Sequence, residues 1–183
     1  LALLAESYRA LGKRVEISRL PGGTPIGEAL RVVSLNAELD RTPLTDLYIS
    51  LAIHATLAST LQAKRSDGII CLVDRSPISM IAYQAYASGL DVNMVRAETN
   101  KVINWYEPDA LVYLSADTQT LASRRMKHAH KDYFEQKGED YMSKVKQGYD
   151  DASMWFNCVI VNAEGNEQQV NELLVQTLQD KLN

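Results

Sequence analysis

Asp74 and Arg75 open the stretch Asp74-Arg75-Ser76-Pro77-Ile78-Ser79-Met80-Ile81-Ala82-Tyr83-Gln84, which follows the apolar run Gly68-Ile69-Ile70-Cys71-Leu72-Val73. Such a run reads as a buried strand, and ligands gather outside the carboxyl ends of strands in open α/β sheets. An acid at that place can orient a metal-bound water, and a guanidinium can fork a phosphate. Positions 75, 79 and 83 share one helical face with Gln84 beside them, so a cation, a hydroxyl, a phenol and an amide converge after the strand. The chemistry these residue types suit is an anion site.

The rest of the chain must position that site. Its 183 residues suffice for one domain with a proper core and leave little room for a second. With 46% hydrophobic and 23% charged residues the composition is that of an ordinary globular protein, and no uninterrupted apolar run approaches the roughly 20 residues of a bilayer span. A membrane protein is therefore not expected. The net charge of -4 supplies no general basic field for a nucleic acid, so any anion site must be local. Cys71 and Cys158 sit in apolar runs and read as small buried side chains without a disulfide framework, which fits a cytoplasmic setting. No zinc-ligand spacing and no nucleophile elbow is present.

Periodicity predicts alternating strands and helices. Leu1, Leu4, Ala5, Tyr8 and Leu11 fall at helical spacing from the first residue, so we expect further chain upstream. Short strands are expected at Arg14 to Ser18, Gly68 to Val73, Ala110 to Leu114 and Cys158 to Val161. Helices are expected at Glu28 to Leu35, Leu44 to Arg65, Pro77 to Ala87, Val92 to Asn104, Asp117 to Lys127, Gln136 to Ala152 and Glu167 to Leu182, the last capped by Asn166. This order predicts a parallel sheet covered on both faces.

Three pieces in order, Arg19-Leu20-Pro21-Gly22-Gly23-Thr24-Pro25-Ile26-Gly27, the Asp74 to Gln84 stretch, and Tyr133-Phe134-Glu135 with the helix through Gln147-Gly148-Tyr149, resemble bacterial thymidylate kinases. The resemblance spans essentially the whole chain. It implies a single nucleoside monophosphate kinase-like domain over 1–183, with a lid at about 124–137. The implied fold is a three-layer P-loop NTPase-type α/β fold, a parallel five-stranded sheet with helices on both faces. Its first, central strand and Gly-rich phosphate loop would lie upstream of Leu1. The implied reaction transfers the γ-phosphoryl group of ATP, with Mg2+, to thymidine monophosphate, and the implied assembly is a cytoplasmic homodimer. Positioning and charge neutralisation do most of that catalysis.

The resemblance assigns residues as well. Asp74 would lie near the magnesium shell, Arg75 on phosphate, and Arg19 on the acceptor phosphate, with Leu20 and Pro21 as a wall for the nucleotide. Ser79 and Gln84 would contact the base, and Tyr83 would pack beside the nucleoside. Arg124 and Lys127 would complete a charge clamp around the donor, with Arg124 also binding ATP. Some positions depart from the family pattern: Ser76 follows the Asp-Arg pair where an aromatic or histidine is usual, Leu20 replaces a glutamate, and Ser50 and His54 stand where the family has a base-stacking aromatic and an arginine. His54 is in line with Leu47 and Leu61 and faces inward, either as a satisfied core residue or as a reader of the base. These departures leave two other readings open, a kinase for a different nucleotide or nucleoside, and a catalytically weak nucleotide-binding protein.

Overall fold

A computed structural model describes residues 1–126 and 133–182. Among these described residues four strands are seen: β1 (Val15–Arg19), β2 (Ile70–Asp74), β3 (Val112–Ser115) and β4 (Val159–Asn162). Seven α-helices accompany them: α1 (Ala2–Ala10), α2 (Pro25–Leu35), α3 (Pro43–Ser66), α4 (Val92–Tyr106), α5 (Thr118–Met126), α6 (Glu139–Trp155) and α7 (Glu167–Leu182). The expected alternation is present. The strands form two parallel pairs, β1 with β2 and β3 with β4.

Neighbouring residues of one strand point to opposite faces. Leu72 packs with Leu4, Val159, Val161, Leu174 and Leu178 beneath α1 and α7, whereas Val73 packs with Leu47, Ile53, Leu57, Ile78 and Met80 beneath α3 and the following helix. Helices therefore cover both faces. α3 is long and apolar enough to cross a membrane by length and composition, with a mean hydropathy of 1.2, yet Leu47, Ile53 and Leu57 are each only 1% exposed in the core. The apolar character of α3 is accounted for by that burial.

Caps set the helix starts. Thr24 accepts the Gly27 N–H, so α2 begins at Pro25, three residues before the start expected from hydrophobic spacing. Thr42 accepts the Thr45 N–H ahead of Pro43, and Asp91 accepts the Met94 N–H at the head of α4. Asn166 caps α7 as expected, accepting the Gln169 N–H while Gln169 Oε1 accepts the Asn166 N–H, a reciprocal pair. Gly138 has φ 91° and separates the short 3-10 turn Glu135–Lys137 from α6, which corrects the single helix expected from Gln136.

The helix expected over Pro77 to Ala87 also differs. Its regular part starts at Ser79, and Ile81–Ala87 is π-helical. Alternating apolar and polar side chains do not distinguish a widened turn from an ordinary one, and such turns concentrate at functional sites. α6 lies directly on this segment: a Cβ on Gly148 would stand 2.7 Å from Ala82 Cα and 3.0 Å from the Tyr86 ring. Backbone meets backbone there, which only glycine permits.

Gly148→Ala sets two effects against each other. In an ordinary helix interior the change stabilises by about 1 kcal/mol, whereas overpacking costs about 1–3 kcal/mol. Because the obstructing atom is backbone, we expect net destabilisation in urea unfolding; an unchanged or raised midpoint would show that the two elements separate freely.

Candidate active site

One cavity lies between α2, α3, the loop after β1 and the π-helical segment, enclosing about 730 Å³ with its open mouth included. Leu20, Pro21, His54, Arg75, Ser79, Tyr83 and Gln84 all line it, so seven of the residues singled out from sequence are brought together. Ser50 and Ser76 line it too. Short side chains at these two positions leave room where the family resemblance implies rings.

Arg75 adopts φ 69°, left-handed backbone that is uncommon outside glycine and frequent at functional sites. Its Nη1 donates to the Tyr83 hydroxyl at 3.0 Å, and its guanidinium sits 5.3 Å from the Tyr83 ring centre. Tyr83 meets Phe134 and Tyr149 edge-on, with ring centres 5.2 and 6.2 Å apart. Ser79 Oγ and the Tyr149 hydroxyl share a hydrogen bond of 2.7 Å, and Tyr149 stacks on Tyr113 at 5.9 Å. Desolvation pushes the Tyr149 hydroxyl up to about 12, so it serves as a neutral hydrogen-bonding group. α6 thus fixes Ser79 and Tyr83 from behind.

Two further groups were not found from sequence. Arg31 of α2 lines the cavity and donates from Nη1 to the Pro21 carbonyl at 2.7 Å. Asp46 lines it while buried, its Oδ1 accepting from Arg41 Nε at 2.7 Å; the two side chains are 5% and 4% exposed. Arg41 also donates to the carbonyls of Ser34, Asn36 and Leu39, so this buried pair ties the α2–α3 loop to α3. The local signal for Arg31 is weak, one cation in a short helix, and only the fold brings it to Pro21. Asp46 shares a helix face with Ser50 and His54, a spacing visible in the sequence.

Arg19, Asp74 and Arg124 do not line the cavity. Arg19 pairs with Glu28 at 2.9 Å on the surface, and Glu28, which also accepts the Gly23 N–H, is held below the usual carboxylate range first by Arg19. Asp74 is exposed at the end of β2 in register with Arg19, and its carbonyl accepts the Leu20 N–H. Gly23 at φ 81° lets the loop turn back, since a Cβ there would stand 2.5 Å from Ser18 Oγ. Arg124 donates from Nη2 to the carbonyls of Ala163 and Gly165, beyond β4. Lys127, His128, His130 and Lys131 lie outside the described residues. Among the described residues no group of three or more His, Cys, Asp or Glu side chains is placed to hold a metal.

His54 is 3% exposed, and its Nδ1 lies 2.8 Å from the Tyr106 hydroxyl. Burial alone lowers its pKa to about 4. The unfolded chain therefore takes up a proton below about pH 6.5 that the folded chain resists. Stability from this group is full above that pH and declines toward pH 4, by up to roughly 3 kcal/mol. We expect unfolding measured from pH 7 to pH 4 to show a shallower acid loss in His54→Gln than in the parent; equal slopes would mean that the imidazole titrates normally.

Comparison with known proteins gives a consistent picture. The family model described as thymidylate kinase matches residues 1–174. A thymidylate kinase of Thermosipho melanesiensis is 34% identical over 150 residues, covering 81% of this chain and 74% of the relative. That of a Nostoc species is 31% identical over 186 residues, covering 100% of this chain and 87% of the relative. A third, from a Geobacter species, is 26% identical across the whole chain.

Proposed function

The chain belongs to the thymidylate kinase family, and from that premise we propose how its own residues serve transfer of the γ-phosphoryl group of ATP to thymidine monophosphate. It is a nucleoside monophosphate kinase that makes the diphosphate. The observation that carries the residue assignment is one cavity that joins two guanidinium groups, Arg31 and Arg75, to apolar walls and to the neutral polar groups of Ser79, Gln84 and His54. That combination suits a phosphate attached to an uncharged ring.

Arg75 and Arg31 grip the acceptor phosphate, and Leu20 and Pro21 wall the nucleotide. Ser79, Gln84 and His54 meet the base, with Tyr83 packed beside the sugar. The transition state of phosphoryl transfer is loose, so holding the acceptor oxygen in line and neutralising charge on the transferring group supply most of the rate. Arg19, at the strand end beside the cavity loop, and Arg124 and Lys127, from the segment before α6, contribute positive charge toward the phosphates. Arg124 also contacts ATP, its Nη2 being anchored to the turn after β4. Magnesium neutralises the donor phosphates when bound. Asp74 suits it as a single exposed carboxylate, because this ion is held by one or two carboxylates with phosphates and water completing its shell.

The wider reading keeps 1–183 as one domain with its lid at 124–137. It places a fifth, central strand between the two strand pairs, and the enzyme in the cytoplasm. A homodimer would use the outer stripe of α3, where Leu44 and Tyr48 are 41% and 63% exposed and Ala52 and Ala55 continue the face. Ser50 and Ser76 specifically favour a second reading, acceptance of a base other than thymine, because they lack the rings implied by the resemblance.

ATP turnover against a panel of nucleoside monophosphates separates these readings: thymidine monophosphate is expected to be the best acceptor, and preference for another base would reject it. Arg75→Ala is expected to lower turnover at least about 100-fold, the scale of a lost charge-stabilising group, with an unchanged circular dichroism spectrum; retained activity would remove Arg75 from the machinery.

A further inference from the structure

Tyr106, at the C-terminal end of α4, does not line the cavity but pairs with His54, which does. The hydroxyl and Nδ1 are 2.8 Å apart, the rings are tilted by 56° with centres 5.5 Å apart, and both residues are buried. Burial keeps both groups uncharged at neutral pH, lowering the imidazole and raising the phenol. Two arrangements of the shared proton remain, and chemistry decides between them. A phenol O–H is a stronger acid than a neutral imidazole N–H, and an imidazole nitrogen is a better acceptor than a phenolic oxygen. The hydroxyl therefore donates to Nδ1, which leaves the ring proton on Nε2.

Nε2 has no hydrogen-bond partner among the described residues, yet no fully buried side-chain nitrogen or oxygen among them lacks one. It is therefore not sealed in protein, and the residue lines the cavity. We propose that Tyr106 is a positioning residue for substrate choice: by donating to Nδ1 it fixes His54 in the tautomer that offers one N–H donor to the base. This rests on the acceptor-site reading above. Thymine carries a carbonyl at ring position 4 where cytosine carries an amino group, so a fixed donor completes a hydrogen bond with the first and opposes a second donor on the other. Without Tyr106 the imidazole can exchange tautomers and present an acceptor, which welcomes the amino group.

Nitrogen-15 NMR of the imidazole in the full chain tests the tautomer directly; we expect protonated Nε2 and bare Nδ1, and the reverse assignment would overturn the proposal. Steady-state kinetics with thymidine and deoxycytidine monophosphates test its consequence. In Tyr106→Phe we expect kcat with thymidine monophosphate within about twofold of the parent, KM raised about tenfold and the preference over deoxycytidine monophosphate reduced about tenfold, the scale of one hydrogen bond. An unchanged preference in a folded, thymidylate-active variant overturns this proposal alone. A parent enzyme that phosphorylates neither monophosphate overturns the site reading beneath it, and a variant that does not fold leaves the NMR assignment as the deciding measurement.

Discussion

Close approach of α6 to the π-helical segment, at Gly148 and Ala82, is the contact on which the candidate site depends. It brings Tyr149 to Ser79 and Tyr83, and it places the Tyr86 hydroxyl 2.6 Å from Asp151 at the other end of the seam. The side chains that face the cavity are therefore held by packing from behind, which leaves less motion to be lost when a ligand arrives. A methyl group at Gly148 would disturb this whole arrangement at once.

The opposite wall is held differently. Arg41 and Asp46 form a buried ion pair, and carbonyls of Ser34 at the end of α2 and of Asn36 and Leu39 in the loop after it take up other donors of the guanidinium. Burial of such a pair is costly, and losing one partner strands the other charge. What the pair provides is placement: it fixes the loop that follows Arg31 against the start of α3, the helix that carries Ser50 and His54. One wall is set by apolar packing and the other by a charge network, with the two guanidinium groups of Arg31 and Arg75 contributed from either side.

Much of this is legible in the sequence. The Asp74 to Gln84 stretch carries strand, turn and helix face in eleven consecutive residues, so local spacing alone predicted that Arg75, Ser79, Tyr83 and Gln84 would share one space, and they do. Inward-facing His54 followed from helical spacing in the same way. Partners distant in sequence were not legible: Tyr106 lies 52 residues from His54, and Tyr149 lies 70 from Ser79. The π-helical turn escaped because side-chain pattern does not record backbone hydrogen-bond spacing. Asp74, Arg19 and Arg124, which the resemblance assigns to the phosphates and their metal, stand outside the cavity lining, on the surface or against backbone carbonyls.

The account stands or falls on whether the nucleotide acceptor enters between α3 and the π-helical segment. Hydrogen exchange with and without thymidine monophosphate measures this most directly. Slowed exchange is predicted over residues 20–24, 50–58 and 76–87, where the cavity walls carry their backbone amides. Tight binding with protection confined to other segments would contradict it.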